Sequence, residues 1–182
     1  MDNISIARLL DETAALLEID AADPFRIRSY RRAAEAVEQQ TTQLSTLVGE
    51  PKQLLAIAGI GKGMAANIVE LVATGTMPLR EELLQKYKPT MLELLRLPGM
   101  GPKTVALIWS ALEVCDIDAL ETAAKEGKLL ELPRMGQKFT DKLLKGIEDY
   151  RRNSSRFRID QAREFAERIS ALIREFPGID EI

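Results

Sequence analysis

The chain has 182 residues, of which 46% are hydrophobic and 29% are charged, a balance typical of one globular domain or two small ones. It contains no histidine and a single cysteine, Cys115, which excludes catalytic and zinc sites that need imidazole and any internal disulfide. The formal net charge of −3 provides no overall attraction to nucleic acid, so such a site would have to be local. The lone cysteine, the lack of a leader and the absence of a long apolar run predict a cytoplasmic protein that does not enter a membrane.

Helix-forming residues dominate the chain and no stretch alternates apolar and polar residues, so the sequence predicts an all-α fold. A second helix is predicted from about Phe25 to Gln39, after Asp23-Pro24. A polar segment with a short helical piece follows, and Pro51 opens the next helix. The first amphipathic helix, at the start of the chain, is indicated by Ile4, Leu9, Leu10, Leu16 and Leu17.

Three later segments repeat one pattern, a helix followed by a tight turn and a second helix. The pattern occurs as LLAIAGIGKGMA at 54–65, LLRLPGMGPKTV at 94–105 and LLELPRMGQKFT at 129–140. Such recurrence indicates a repeated structural unit. The glycines allow a positive φ and a close approach of another molecule, while the apolar residue between them packs into the helix pair.

The second helix of each hairpin is the part that points to function. Its first N–H groups have no partner within the helix, and the positive end of its dipole attracts an anion. Phosphate groups of DNA meet this requirement, and binding through amides allows an acidic protein to hold DNA. The alternative is that the hairpins serve packing alone or dock a protein partner, which would require an exposed face around Trp109 and Leu112.

Two stretches are locally basic. Arg26, Arg28, Arg31 and Arg32 contain no acid among them, and the segment 134–158 has eight basic residues against three acidic ones. Such runs are usually solvated helix faces, and a phosphate-binding surface is the alternative.

At these segments the chain resembles a known family. FRIRSYRRAA at 25–34, GIGKG at 59–63 with ATG at 73–75, and LPGMGPK at 97–103 are similar to the N-terminal region of family X DNA polymerases, especially the bacterial enzymes, with DNA polymerase beta as a more distant relative. The resemblance covers essentially the whole chain.

The resemblance implies three regions. Residues 1–80 would form a lyase-like helical domain that contains the first hairpin and holds the 5′-phosphate of a DNA gap. Residues 81–150 would form a fingers-like DNA-binding domain with the second and third hairpins. Residues 151–182 would form an amphipathic helix, with Phe165 and Ile169 on its apolar face, leading toward a catalytic palm.

The implied function is binding of gapped or nicked DNA with a 5′-phosphate, without sequence preference, by a monomer that is part of a repair polymerase. Arg26 and Tyr30 match the basic residue and the tyrosine of the family's phosphate pocket. The residues expected to bind DNA are Arg26, Tyr30, Gly59, Gly61, Lys62, Gly63, Gly99, Gly101, Lys103 and Thr104.

Enzymatic activity is where the chain departs from the family. The position of the family's nucleophilic lysine is Asn67, a second pocket lysine matches Gly63, and the pocket histidine matches Phe25. An active 5′-deoxyribose phosphate lyase would therefore have to use Lys62 as its Schiff-base amine. This activity is kept as an alternative function.

Polymerase chemistry needs a set of carboxylates for two metals, and the sequence offers only Asp116-Ile-Asp118. We interpret Asp118 with Glu121 as a helix cap and capping box rather than a metal site.

Metal ions are not required for the expected binding, and Mg²⁺ would act only in a full-length polymerase. The resemblance implies that hairpin carbonyls hold Na⁺ or K⁺. The third hairpin has Arg134 in place of a glycine, and we expect this arginine to pack or to contact phosphate through its side chain. The matching carbonyls in the first two hairpins are those of Leu55, Ile57, Ile60, Leu95, Leu97 and Met100.

Overall fold

A computed structural model of the chain describes residues 1–154. Within them the fold is all-α and contains no strand, which confirms the predicted fold class. The predicted helix over 151–182 lies almost wholly outside the described residues. In chain order the helices are α1 (Asn3–Ile19), α2 (Pro24–Glu38), α3 (Pro51–Leu55), α4 (Lys62–Thr74), α5 (Pro78–Lys86), α6 (Met91–Leu94), α7 (Pro102–Leu112), α8 (Ile117–Lys125) and α9 (Gln137–Ser154), with short 3₁₀ turns at Leu44–Thr46 and Lys128–Glu131.

The starts of the first two helices follow from their capping residues. The Asp2 carboxylate accepts a hydrogen bond from the Ser5 amide at 2.7 Å, and Asp23 accepts one from the Phe25 amide at 3.3 Å. Ile4 was expected on the apolar face of α1, but it is 74% exposed. Asn3 is buried instead, because its side chain bonds the 40–44 segment, where it accepts from the amide of Leu44 at 2.8 Å.

The predicted cap of α8 is wrong by two residues. Asp116, not Asp118, is the N-cap: its backbone is extended and its carboxylate accepts a hydrogen bond from the Ala119 amide at 2.8 Å. Asp118 therefore lies in the first turn of the helix, where it forms an ion pair with Arg151 at 2.5 Å. Of the two aspartates, only Asp116 caps a helix.

The three predicted hairpins share one backbone design. The residue that opens each turn has a positive φ, which is +98° at Gly59, +82° at Gly99 and +67° at Arg134. The next residue is apolar and buried in every copy, and it is followed by a glycine that immediately precedes the second helix. These buried residues are Ile60, Met100 and Met135. The recurrence of this geometry confirms three hairpin copies.

Helix α1 lies at the centre of the fold. It packs on α2 and α4 and also on α5, α6 and α7, so the buried residues form a single hydrophobic core. Polar contacts also connect α1 to α5 and the residue after it. Glu12 pairs with Arg80 at 3.0 Å, and the Asp20 carboxylate accepts hydrogen bonds from Lys86 and from the Tyr87 hydroxyl. A domain boundary near residue 80 stays a prediction.

Two hairpin turns are fixed against neighbouring helices by close contacts at glycine. A Cβ added to Gly59 would lie 3.4 Å from the Arg32 carbonyl of α2, and one added to Gly99 would lie 3.0 Å from the Phe139 ring of α9. The first turn is therefore positioned by α2, and the second by α9.

Candidate nucleic-acid interface

The first hairpin and helix α2 enclose an open cavity of about 510 Å³, which we call the α2–α4 cavity. It brings together most of the residues that the sequence predicted for the first hairpin, from two helices far apart in the chain. Its lining consists of Arg26, Ser29, Tyr30, Arg32, Gly59, Gly61, Gly63, Met64 and Asn67.

The charge of this cavity is positive. Arg26 and Arg32 line it and no acidic residue does. Within residues 1–154 neither arginine forms an ion pair, whereas their neighbour Arg31 is paired with Glu18 at 2.6 Å on another face of α2. The cavity thus offers two guanidinium groups to an anion.

Tyr30 supplies a hydroxyl at the base of the cavity. Its ring is buried, with 5% exposure, and it follows Arg26 by one helical turn, so both share a face of α2. The hydroxyl oxygen accepts a hydrogen bond from the Asn67 side-chain amide at 2.8 Å, which leaves its own proton available for a second partner. Burial raises the pKa of Tyr30, although the charge of Arg26 and the bond from Asn67 act in the opposite direction. The hydroxyl therefore stays protonated at neutral pH and can donate.

The start of α4 supplies backbone donors. The first N–H of this helix that has a backbone acceptor is that of Ala65, 2.9 Å from the Gly61 carbonyl, and Gly61 provides no side-chain cap. The four amides before it, those of Gly61, Lys62, Gly63 and Met64, have no acceptor among the described residues. A Cβ at Gly61 or Gly63 would meet nothing within 4 Å, so the packing of the protein does not require glycine at these positions. A ligand that approaches the amides closely does require it.

Lys62 is the predicted residue that the structure separates from the cavity. It lies with Leu55, Val69 and Glu70 along an apolar groove of about 440 Å³ and does not line the α2–α4 cavity. The candidate lyase amine therefore stands apart from Arg26 and Tyr30. Asn67, which occupies the family's nucleophile position, lies inside the cavity.

The second hairpin presents fewer backbone donors than the first, together with different side chains. Pro102 begins α7 and has no N–H, while the amides of Thr104 and Val105 bond the Gly101 carbonyl at 2.9 and 3.0 Å. The Lys103 amide has no acceptor within residues 1–154, and a Cβ at Gly101 would meet open space. Lys103 and Thr104 line a separate cavity of about 380 Å³.

Sequence reasoning missed part of the lining. Arg32 was not among the residues expected to bind DNA, and Ser29 and Met64 were not singled out. The available signal was helical spacing: Ser29 and Tyr30 follow Arg26 by three and four residues, which places all three on one face. Phe25, which matches the family's pocket histidine, is 72% exposed and carries the Arg28 guanidinium 4.5 Å above its ring.

Hairpin carbonyls were predicted to hold a monovalent cation. The carbonyls of Ile57 and Leu97 each accept one hydrogen bond at 3.1 Å, from Ile60 and Met100. The carbonyls of the other four predicted ligands accept no backbone hydrogen bond among the described residues. Oxygen atoms with unused lone pairs suit a hard cation, so the geometry is compatible with the prediction, which stays untested.

No group of three or more Cys, Asp or Glu side chains in residues 1–154 is placed to hold a metal ion. No described helix is long and apolar enough to cross a membrane.

Comparison with known proteins agrees with the hairpins. Residues 1–77 match a helix-hairpin-helix domain, and residues 91–149 match a SAM-like helix-hairpin-helix tandem, which spans the second and third hairpins. The DNA polymerase/3′-5′ exonuclease PolX of Bacillus subtilis (strain 168) is 31% identical over 179 residues. The match covers 98% of this chain and 31% of that relative, so the chain spans about a third of its length. The chain is therefore similar to a family X DNA polymerase and fits the N-terminal helix-hairpin-helix region of such an enzyme.

Proposed function

We propose that this chain binds gapped or nicked DNA without sequence preference and holds the 5′-terminal phosphate of the gap in the α2–α4 cavity. The observation that carries the proposal is the donor set of that cavity. Within residues 1–154, two arginines that form no ion pair, the Tyr30 hydroxyl with its own proton still available and helix amides that have no acceptor line one space, and no acidic residue lines it.

A terminal phosphate fits this donor set better than an internal one. A phosphate monoester carries about −1.5 to −2 charges at pH 7 and three strong acceptor oxygens, whereas a phosphodiester carries one charge. Arg26 can contact two of the oxygens at once, and it keeps its charge at every relevant pH. Tyr30 and the amides before Ala65 then have acceptors left to bond.

The second hairpin contributes duplex binding. Its free Lys103 amide and the open space at Gly101 suit contact with a backbone phosphate, which carries no sequence information. The affinity should fall with salt on a log–log plot with a slope of about −0.9 per phosphate neutralised. Equal affinity for gapped duplexes of unrelated sequence is expected.

The experiment compares two arginine variants on gapped DNA with a 5′-phosphate. Arg26→Ala removes a guanidinium from the cavity, and Arg31→Ala removes one from the same helix outside it, so the two variants lose the same net charge. Charge-assisted hydrogen bonds contribute about 1.5–3 kcal/mol, and desolvation of the phosphate offsets part of this. We expect about a tenfold loss of affinity for Arg26→Ala and a much smaller loss for Arg31→Ala, measured by fluorescence anisotropy.

The same two variants can also refute the assignment of the phosphate to the α2–α4 cavity. If both bind the phosphorylated gap as tightly as the parent protein, or lose affinity equally, the α2–α4 cavity is not the phosphate site. If the parent protein binds no gapped duplex at all, DNA binding itself is refuted.

A further inference from the structure

A second positive cavity lies where the third hairpin meets the second, and we call it the α7–α9 cavity. It measures about 380 Å³. Lys103 and Thr104 reach it from the start of α7, and Arg134 reaches it from the third turn. Its lining also includes apolar residues, among them Met135 and Phe139.

The charge of the α7–α9 cavity is uncompensated. No acidic side chain lines it, and within residues 1–154 neither Lys103 nor Arg134 forms an ion pair. The two cations and the Thr104 hydroxyl therefore offer donors to an anion from two different hairpins. A single phosphate group can accept from all three.

The backbone at Arg134 gives independent support for a role of its side chain. Its φ of +67° lies in the left-handed region, where the other two hairpins place Gly59 and Gly99. A residue with a Cβ is unfavourable in this conformation, and an arginine there is strained without any gain in packing, because its side chain is exposed. Strain of this kind points to a function for the residue that bears it.

We propose that the α7–α9 cavity binds an internal phosphodiester of the duplex that the second hairpin holds, with Arg134 and Lys103 as its cationic contacts. The inference rests on the proposed DNA binding and extends it to the third hairpin, which contacts the phosphate through the Arg134 side chain. A singly charged phosphodiester matches this site, which has fewer donors than the α2–α4 cavity and lacks a buried hydroxyl.

The test uses the full chain and the variant Arg134→Gly, for which stability and binding should change in opposite directions. Glycine relieves the positive φ, so the melting temperature should rise by about 2–4 °C. DNA affinity should fall about tenfold, and the slope of log affinity against log salt should become less steep by about 0.9. Arg134→Gln keeps the strain and removes only the charge, so it should weaken binding without raising the melting temperature.

Ala21→Gly is the matched control, because Ala21 also has a positive φ, +53°, at the end of α1. It should raise the melting temperature and leave DNA binding unchanged. The loss caused by Arg134→Gly should be the same on gaps with a 5′-phosphate and with a 5′-hydroxyl, since the site takes an internal phosphate. A loss confined to phosphorylated ends would contradict that assignment.

The result that overturns the proposal is a parent protein that binds gapped DNA while Arg134→Gly and Arg134→Gln bind equally well with an unchanged salt slope. In that case the proposed function stands and only the α7–α9 site falls. A parent protein that does not bind DNA would refute both proposals together.

Discussion

Replacing Gly99 and Gly101 by valine, one at a time, distinguishes a glycine that the fold requires from one that a ligand requires. Gly99 has a φ of +82°, and an added Cβ would lie 3.0 Å from the Phe139 ring. A branched side chain in the left-handed region costs about 1–3 kcal/mol, and the ring must also move. Gly99→Val should therefore lower the free energy of unfolding by about 2 kcal/mol or more.

Gly101 is different in both respects. Its φ of −74° suits any residue, and a Cβ there meets nothing within 4 Å. Valine is a poorer N-cap than glycine, so Gly101→Val should cost only about 0.5–1 kcal/mol. Its effect should appear in DNA binding, with a loss of about tenfold in affinity, because the new methyl groups keep a phosphate away from the free amide of Lys103.

Urea unfolding and fluorescence anisotropy with gapped duplex provide the two measurements. The reasoning predicts that Gly99→Val is the less stable variant and that Gly101→Val is folded but binds weakly. Equal destabilisation by the two substitutions would refute the assignment of Gly99 to the fold. Unchanged DNA affinity of Gly101→Val would refute the assignment of Gly101 to the ligand.

Three further predictions concern the support of the site. Gly146→Ala places a Cβ 2.3 Å from the Pro98 ring, so α9 must shift from the second hairpin and the free energy of unfolding should fall by about 1–2 kcal/mol; unchanged stability would contradict this packing. Hydrogen bonds from Lys86 and Tyr87 lower the pKa of Asp20 below its ordinary value of 3.8, so their contribution to stability is present above that pH and is lost as the pH falls through the lowered pKa. The difference in unfolding free energy between the parent and Asp20→Asn should therefore shrink in acid, and a difference that persists well below pH 3.8 would count against it. Asn67→Lys places an amine in the α2–α4 cavity among cationic groups. Borohydride should therefore trap more covalent adduct between this variant and abasic-site DNA than between the parent protein and the same DNA; equal trapping would refute this.

The hairpins could be predicted because their signal is local. A turn that needs a positive φ is marked by a glycine, and the apolar residue after it packs between the two helices. Gly59-Ile60 and Gly99-Met100 could therefore be identified from the sequence. The third turn lacks the first glycine and could be identified only by aligning segment 129–140 with the other two repeats. That Arg134 adopts the same left-handed backbone as the glycines could not be read from its residue type, which normally avoids it.

Side-chain direction and long-range packing could not be predicted. Adjacent residues on a helix point about 100° apart, so Lys62 faces a groove while Gly63 faces the cavity, although both belong to one motif. The bond from Asn67 to Tyr30 joins α4 to α2, and no pattern in either segment indicates it. The cap at Asp116 was missed because two aspartates in alternation satisfy the same rule, and only the backbone angles distinguish them.

The most direct test of the central claim, that a 5′-terminal phosphate lies against the start of α4, is a pair of ¹⁵N–¹H correlation spectra of the full chain with gapped DNA. One sample carries a 5′-phosphate at the gap and the other a 5′-hydroxyl, with the protein saturated in both. The account predicts that the amide signals of Gly61 and Gly63 move strongly downfield with the phosphate and much less with the hydroxyl, because these N–H groups line the cavity and have no acceptor within residues 1–154. The same shifts with both ends would contradict it.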